Sequence, residues 1–313
     1  MKAVMIDDYG TAEALQYREV PIPTIADNQV LVKVQAASVN PVDWKVRRGD
    51  LRLIPMGDLP RIMGADFAGE VVEVGRRTAA YRPGDAVYGS VNPLLGGAYA
   101  EFVAVPEEAI APKPEALTFP EAAAIPIAGV TALQALRDEA KLAAGQRVLI
   151  NGASGGVGTF AVQIARALGA SVTALCSEPN FDLVRDLGAA ATMDYRSQDF
   201  VQQGIQYDVL FDVAGKRTFS ECREALTPNG IYISTLPNPD VIFWSLATAL
   251  LPGQKAKVTL AQVKTSQLAA LNALIERGDL RVIIDSTYPL GDIRAAHRHS
   301  ETEHACGKIV LTV

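Results

Sequence analysis

The chain has 313 residues, of which 49% are hydrophobic and 20% charged, a composition typical of a soluble globular protein large enough for two domains. Its 29 basic and 35 acidic residues give a net charge of −6, and no dense basic segment indicates binding to nucleic acid. Disorder and collagen-like structure are excluded, and a small molecule is the expected partner.

The N-terminal segment and the cysteines indicate the compartment. Asp7 and Asp8 stand where a secretory signal needs an apolar segment. The longest apolar stretch, residues 241–251, is about half the length of a membrane span. Three cysteines without a paired spacing indicate neither a disulfide framework nor a thiolate zinc site. We therefore expect a cytoplasmic protein that does not insert into a membrane.

The first third of the chain has the pattern of β-strands. Residues 30–34, 69–74 and 86–88 are rich in β-branched side chains and are separated by Gly and Pro. We predict no regular helix between residues 30 and 102.

After Pro126 the pattern changes, because short apolar strands alternate with segments of helix length. This alternation predicts βαβ units and a parallel sheet that is covered on both faces. The predicted strands are residues 147–150, 171–176, 191–195, 207–213 and 230–234.

Strand character returns at residues 282–284 and 308–311 near the C-terminal end. The expected fold is therefore α/β, with a β-rich domain of residues 1–123 and 279–313. A doubly wound, parallel-sheet domain of residues 124–278 interrupts it.

A glycine-rich turn follows the first strand of the predicted parallel sheet, and an amphipathic helix, residues 159–168, follows the turn. Small residues let the backbone approach a pyrophosphate, and the helix N-terminus offers free N–H groups to its negative charge. The turn, in this setting between strand and helix, predicts dinucleotide binding. The residues assigned to it are Ala153, Ser154, Gly155, Gly156, Val157 and Gly158.

The end of the second strand of the parallel sheet bears on which nicotinamide cofactor binds. NAD-binding proteins place an acid there for the ribose 2′-hydroxyl. Here Ser177 ends the strand and can donate to a 2′-phosphate, and Tyr195, at the end of the third strand, can pack against or bond the same group. NADPH is therefore favoured, while Glu178 and the absence of an adjacent base leave NADH open.

The fourth and fifth strands end at the same edge of the sheet. Open α/β sheets bind ligands at the carboxyl ends of their strands. We therefore expect Val213, Thr235 and Leu236 to line the adenosine or the nicotinamide ribose.

Five segments carry a family resemblance: residues 40–44 (Asn-Pro-Val-Asp-Trp), 64–71, 126–136, 151–158 (Asn-Gly-Ala-Ser-Gly-Gly-Val-Gly) and 307–311. Together they resemble the zinc-independent quinone oxidoreductases of the medium-chain dehydrogenase/reductase superfamily, closest to the chloroplast-envelope quinone-oxidoreductase-like branch. The resemblance implies a GroES-like β-rich domain, a Rossmann domain, a homodimer, and NADPH-dependent hydride transfer to quinones or α,β-unsaturated carbonyls.

The resemblance also implies roles for individual residues. Asn40 is expected to be an amide donor at the nicotinamide and substrate, with Asp43 and Trp44 shaping the pocket. Thr131 is expected near the nicotinamide or a phosphate. Two further residues, Asn180 and Lys308, join the expected cofactor-binding set.

Zinc dehydrogenases of the same superfamily need thiolate or imidazole ligands at two of these segments. This chain has Asn40 and Asp43 at the first and Ala65 and Asp66 at the second, so we expect no metal. The histidines at positions 297, 299 and 304 are interpreted as part of a solvated helix. Two other functions stay open: an enoyl-thioester reductase, and a cofactor-sensing interaction protein without turnover.

Overall fold

The computed structural model describes residues 1–52, 54, 56 and 58–313. It contains two compact units. The β-rich unit comprises residues 1–127, 263–276 and 282–313, and the parallel-sheet unit comprises residues 128–262 and 277–281.

The N-terminal part of the β-rich unit alternates short strands with two helices. In chain order these elements are β1 (Lys2–Ile6), β2 (Gln16–Glu19), β3 (Gln29–Val39), α1 (Pro41–Arg48), β4 (Arg61–Ile62), β5 (Asp66–Val74), β6 (Ala86–Ser90), β7 (Phe102–Pro106), β8 (Ile110–Pro112) and α2 (Phe119–Ala123).

The next segment of the chain forms the parallel-sheet unit. Its elements are α3 (Pro126–Leu133), whose first two residues still belong to the β-rich unit, β9 (Arg147–Asn151), α4 (Gly156–Ala167), β10 (Ser171–Cys176), α5 (Phe181–Asp186), β11 (Ala191–Asp194), β12 (Tyr207–Asp212), α6 (Phe219–Cys222), β13 (Leu226–Ser234), α7 (Pro239–Ala249) and β14 (Lys255–Val258).

The C-terminal elements return to the β-rich unit. They are α8 (Thr265–Glu276), β15 (Ile284–Pro289), α9 (Ile293–Glu301) and β16 (Lys308–Thr312).

The long strand β3 organises the main sheet of the β-rich unit. The order is β15-β16-β3-β5-β6-β8, and β7 pairs with the first half of β3 while β16 pairs with the second half. The C-terminal strands thus complete the sheet that the N-terminal strands begin. A separate three-stranded sheet has the order β2-β1-β4.

The six strands of the other sheet are all parallel, in the order β11-β10-β9-β12-β13-β14. The first strand in the chain, β9, is central, and the order reverses beside it, which is the arrangement of a Rossmann fold. This confirms the predicted α/β class.

Helix α1 is missing from the prediction. Its start nevertheless carries recognised signals: Asn40 at the N-cap, Pro41 in the first turn and an acid at Asp43. Gly49 ends it in the left-handed conformation, with φ of 79°. The strand-like composition on either side concealed this short helix.

Strand β15 begins where residues 282–284 were expected to end. It is the outermost strand of its sheet and its side chains are half exposed. Its residues are therefore less apolar than those just before it, and the apolar pattern predicts the strand too early in the chain.

Helix α8 lies in the segment predicted for the interrupting domain, yet it bonds to the β-rich unit. Tyr88 Oη donates to Asn272 Oδ1 at 2.6 Å, Asn272 Nδ2 donates to Pro112 O at 3.0 Å, and Thr265 Oγ1 donates to Ile110 O at 2.8 Å. The domain boundaries at 123/124 and 278/279 stay a prediction, and α8 is the segment where the contacts differ from it.

Each unit has its own core. Val4, Tyr99 and Ile293 belong to one buried cluster of the β-rich unit, and Leu149, Phe211 and Tyr232 are buried in the parallel-sheet unit. Among the described residues, no helix has both the length and the apolar character needed to cross a bilayer.

Candidate functional site

The glycine turn lies between β9 and α4 and is held by β10. Gly152 has φ of +85°, a conformation that favours glycine. The N–H groups of Gly152 and Ala153 both donate to Leu175 O, at 3.0 and 3.2 Å. The turn therefore has one backbone path, fixed by the neighbouring strand.

The N-terminus of α4 is open to a ligand. Its N-cap residue, Gly155, has no side chain that could cap the helix, and the first bond along the helix runs from Thr159 N to Gly155 O at 2.9 Å. The N–H groups of Gly156, Val157 and Gly158 precede that bond and have no acceptor within the helix. Backbone donors at the positive end of a helix dipole fit a pyrophosphate.

Two glycines of this turn differ in the space around them. A Cβ on Gly158 would lie 2.1 Å from Gly152 O, whereas a Cβ on Gly155 would have its nearest neighbour at 3.5 Å. Gly158 is therefore needed for the close packing of the helix against the turn, while Gly155 keeps the ligand side unobstructed.

A buried carboxylate, Asp212 at the end of β12, supports the turn. It accepts hydrogen bonds from Asn151 Nδ2 at 2.7 Å, Tyr232 Oη at 3.0 Å, Gly215 N at 3.0 Å and Arg217 N at 2.9 Å. Burial raises its pKa, and these four donors oppose the increase. Asp212 is not among the predicted site residues, because its sequence signal is only that of an acid at the end of an apolar strand.

The residues expected to line the cofactor lie at the carboxyl edge of the sheet. Val213 follows β12, and Thr235 and Leu236 follow β13. Thr235 Oγ1 donates to Val213 O at 3.0 Å, which holds the two strand ends together. Thr131 is buried within α3.

The ends of β10 and β11 carry the residues expected at the 2′ position of the cofactor ribose. Asn180 Nδ2 donates to Ser154 Oγ at 3.0 Å and to Ser177 Oγ at 3.2 Å, so the structure brings three predicted residues together. Tyr195 follows β11 directly and is 48% exposed.

In the β-rich unit, Asn40 and Asp43 are buried at the start of α1. Asp43 Oδ2 accepts from Asn40 N and from Tyr99 Oη, both at 2.8 Å, and Asp43 Oδ1 is buried with no partner in the described part of the chain. Burial raises the pKa of Asp43 to about 7, although the two hydrogen bonds oppose the increase. This carboxyl therefore holds a proton more tightly than an exposed aspartate does.

The side-chain amide of Asn40 has a fixed orientation. Lys308 Nζ donates to its Oδ1 at 2.6 Å, and its Nδ2 donates to Asp66 Oδ2 at 2.9 Å. A lysine requires an acceptor and a carboxylate requires a donor, so the oxygen and nitrogen cannot exchange places. One amide hydrogen of Asn40 is left for another acceptor.

Asp66 and Lys308 form the centre of this network, with Nζ and Oδ2 3.9 Å apart. Asp66 also accepts from Ser38 Oγ at 3.3 Å and from Ile127 N at 3.2 Å. Burial raises the pKa of Asp66 and lowers that of Lys308, and in each case the opposite charge counteracts the shift. The structure thus places Lys308 beside Asn40, within the β-rich unit.

Trp44 is buried in α1, and no described residue hydrogen-bonds its Nε1. Lys45 Nζ lies 5.3 Å and Arg48 Cζ 5.5 Å from its ring centroid. Its predicted role at the pocket stays a prediction.

A second buried cluster lies behind Tyr99. Arg47 Nη1 bonds His297 Nδ1 at 3.2 Å, Arg47 Nη2 pairs with Glu301, and the rings of Tyr99 and His297 meet edge to face at 5.8 Å. Burial, and to a smaller extent the charge of Arg47, lower the pKa of His297 to about 3. The expectation of a solvated helix is therefore wrong for His297, because α9 packs this residue inwards.

The residues at the expected zinc positions do not fit a zinc ion. Asn40, Ala65 and Asp66 offer neither thiolate nor imidazole, and the carboxylates of Asp43 and Asp66 already accept several hydrogen bonds. Across residues 1–52, 54, 56 and 58–313 no group of three or more His, Cys, Asp or Glu side chains is arranged to hold a metal ion.

Two family profiles match the chain. One is described as an alcohol dehydrogenase GroES-like domain and covers residues 26–115; the other is described as a zinc-binding dehydrogenase and covers residues 187–311.

Individual proteins match over nearly the whole chain. The chloroplast envelope quinone oxidoreductase homolog of Arabidopsis thaliana is 36% identical over 99% of this chain and 98% of its own length. The 2-methylene-furan-3-one reductase of Solanum lycopersicum is 34% identical over 99% and 79%. The crystal structure of Escherichia coli quinone oxidoreductase complexed with NADPH has a TM-score of 0.86 and 25% identity, with 100% of both chains covered.

Proposed function

Because the chain belongs to the quinone oxidoreductase family of the medium-chain dehydrogenase/reductase superfamily, we propose that it is a metal-independent, NADPH-dependent oxidoreductase. Its proposed acceptors are quinones or α,β-unsaturated carbonyls. The observation that carries this proposal is the open N-terminus of α4, which follows a fixed glycine turn at the carboxyl edge of a Rossmann sheet.

The chain's own residues supply binding and orientation. The N–H groups of residues 156–158 bind the pyrophosphate, and Val213, Thr235 and Leu236 line the sugar beside it. Thr131 lies near the nicotinamide or a phosphate. When bound, NADPH supplies the hydride.

The preference for NADPH over NADH is supported by the end of β10. Ser177 stands where NAD-binding proteins keep an acid, and its hydroxyl oxygen accepts from Asn180. Its own proton is then available to a 2′-phosphate. The Escherichia coli relative was crystallised with NADPH.

On the substrate side, Asn40 is the proposed donor. Lys308 and Asp66 fix its amide so that one N–H remains to stabilise negative charge on the acceptor oxygen. Lys308 is in this proposal a positioning residue, which acts through Asn40. Asp43 and Trp44 support the start of α1 on which Asn40 lies.

Quinones and α,β-unsaturated carbonyls suit a site of this kind. Their conjugated oxygen accepts the charge and can be protonated by water, so the reaction requires no dedicated acid. The tomato relative is named for reduction of a conjugated ketone. Metal independence is supported by the donor set, since the expected zinc positions lack thiolate and imidazole.

The purified protein tests the proposal directly. We expect it to oxidise NADPH faster than NADH in the presence of a panel of quinones and enones, with activity that persists after dialysis against a chelator. Tight NADPH binding without turnover of any acceptor would instead indicate a cofactor-sensing protein. Selective turnover of an enoyl thioester would identify the other alternative.

We also propose that the protein is a homodimer, through the outer face of α7. Phe243 and Leu246 are three positions apart on this helix, Leu250 follows its last residue, and the three side chains are 61%, 74% and 96% exposed. Ile242 and Leu251 extend the same apolar patch. A second copy is the proposed occupant because the exposed side chains of the patch are apolar and α7 packs on β14, which ends its sheet.

Sedimentation velocity tests this proposal. Wild type is expected to be a dimer, and the double substitution Phe243→Ser with Leu246→Ser is expected to give a monomer of unchanged fold. The control is Ile22→Ser, which removes an apolar side chain that is 50% exposed from the β-rich unit. A wild-type monomer at high concentration excludes the dimer.

The expected cytoplasmic location stays a proposal, and cell fractionation tests it.

A further inference from the structure

The carboxyl ends of β10 and β11 carry side chains with hydrogen-bond donors that no described residue accepts. Strands β10 and β11 are parallel, with Cys176 opposite Asp194. The residues that follow, Ser177 and Tyr195, therefore emerge side by side at the carboxyl edge of the sheet.

Asn180 determines whether the hydroxyl groups of Ser154 and Ser177 act as hydrogen-bond donors or acceptors. Its Nδ2 has two hydrogens, and these are donated to Ser154 Oγ at 3.0 Å and Ser177 Oγ at 3.2 Å. Each serine thus uses its oxygen as an acceptor towards Asn180, and neither hydroxyl donates to another described residue. Two O–H donors are therefore available to one ligand oxygen group.

A cation lies on the adjoining strand end. The guanidinium of Arg196 stacks over the ring of Tyr195, with Cζ 5.6 Å from the ring centroid. Within the described part of the chain it has no hydrogen bond or ion pair, in contrast to Arg185, which stacks on Phe181 but also bonds Thr192. The backbone N–H of Arg196 donates to Asp194 Oδ1 at 2.9 Å, which turns the chain directly after β11.

From this arrangement we propose that Arg196 is the cationic specificity determinant for the 2′-phosphate of NADPH, acting together with the hydroxyls of Ser154 and Ser177. The inference rests on the proposed function. A phosphate dianion favours a guanidinium with several N–H donors, and the Tyr195 ring limits the positions that this guanidinium occupies. The base that is missing after Ser177 is thereby supplied by the next strand.

The position of Glu178 is consistent with this site. It is exposed, and Asn180 Nδ2 donates to Ser154 and Ser177. The amide hydrogens of Asn180 therefore do not hold the Glu178 carboxylate at the position proposed for the 2′-phosphate.

The test compares two cofactor fragments that differ only in the 2′-phosphate, 2′,5′-ADP and 5′-AMP, by isothermal titration of the full chain. For Arg196→Met we expect 2′,5′-ADP to bind about 10-fold or more weakly and 5′-AMP to be unchanged. Added salt is expected to weaken 2′,5′-ADP binding in wild type and to have little effect in the variant. Arg185→Met, the matched control, is expected to leave both affinities unchanged.

Ser177→Ala is expected to weaken 2′,5′-ADP binding by about 3-fold to 10-fold without affecting 5′-AMP, and Ser154→Ala to weaken 2′,5′-ADP binding more than 5′-AMP binding. If Arg196→Met weakens the binding of both fragments equally, or of neither, the proposed role of Arg196 is overturned. The proposed NADPH-dependent activity would not be affected by that result. If wild type binds neither fragment and neither intact cofactor, the proposed function itself fails.

Discussion

The two polar regions of this molecule are built in opposite ways. The turn between β9 and α4 presents backbone N–H groups from a few consecutive residues, and these groups have no acceptor within their helix. The network around Asn40 consists of side chains from distant parts of the chain, and most of its donors and acceptors are paired with one another. A change in the first region should therefore act mainly on the ligand, and a change in the second mainly on stability.

The largest effect on stability is expected from Lys308→Met. This change leaves Asn40 Oδ1 and the Asp66 carboxylate without their buried cation, so the free energy of unfolding should fall by about 3–5 kcal/mol. Affinity for 2′,5′-ADP should be unchanged, because that fragment reports on the parallel-sheet unit. Urea unfolding and titration of the fragment measure the two effects.

The control for this lysine is Lys33→Met, at an exposed position of β3, where a change within about 0.5 kcal/mol is expected. A Lys308 variant as stable as wild type would mean that the network contributes little.

Gly158→Ala should affect both stability and ligand binding. The new Cβ would lie 2.1 Å from Gly152 O, so we expect a loss of about 3 kcal/mol and cofactor binding at least about 30-fold weaker. Gly155→Ala, in the same turn, has its nearest contact at 3.5 Å and should preserve stability. Thermal unfolding and NADPH fluorescence titration measure the pair; equal stability losses would contradict the packing argument.

The contrast between the two regions explains why the glycine turn could be predicted from the sequence and the contacts around Asn40 could not. The spacing of small residues after an apolar strand is a local pattern, so the turn and the Rossmann sheet could be predicted from it. The bonds of Asn40 to Asp66 and Lys308 join residues 26 and 268 positions away. A family resemblance indicated Asn40 and Lys308, but only the folded sheet shows that they touch. Asp212 and Arg196 have no distinctive local pattern, and their environments arise from tertiary packing.

A smaller effect is expected from Asp212→Asn. The amide has one acceptor oxygen where the carboxylate has two, so some of the donors from Asn151, Tyr232, Gly215 and Arg217 lose their partner. We expect a loss of about 2 kcal/mol and NADPH binding about 5-fold to 10-fold weaker, because Asn151 begins the turn. Asp208→Asn on the same strand is the control, since Asp208 is only half-buried. Similar NADPH affinities in the two variants would argue against support of the turn by Asp212.

The smallest expected effects are changes of stability with pH. They distinguish Asp43 from His297, which both contact Tyr99. Asp43 has its pKa raised from 3.8 to about 7, so between these values the folded state holds a proton that the unfolded state has released. This contribution to stability decreases as pH rises. His297 has its pKa lowered from 6.5 to about 3, so there the unfolded state holds the extra proton. Its contribution increases as pH rises.

Relative to wild type, His297→Gln should therefore become less stable with rising pH between about pH 4.5 and 6.5, and Asp43→Asn more stable, each by up to about 1.4 kcal/mol per pH unit. The opposite signs mean that the double variant should follow the wild-type slope. Urea unfolding at several pH values measures this. Parallel curves for both single variants would show that neither group changes its proton affinity on folding. Slopes of the same sign would show that the edge-to-face contact of Tyr99 and His297 couples the two titrations.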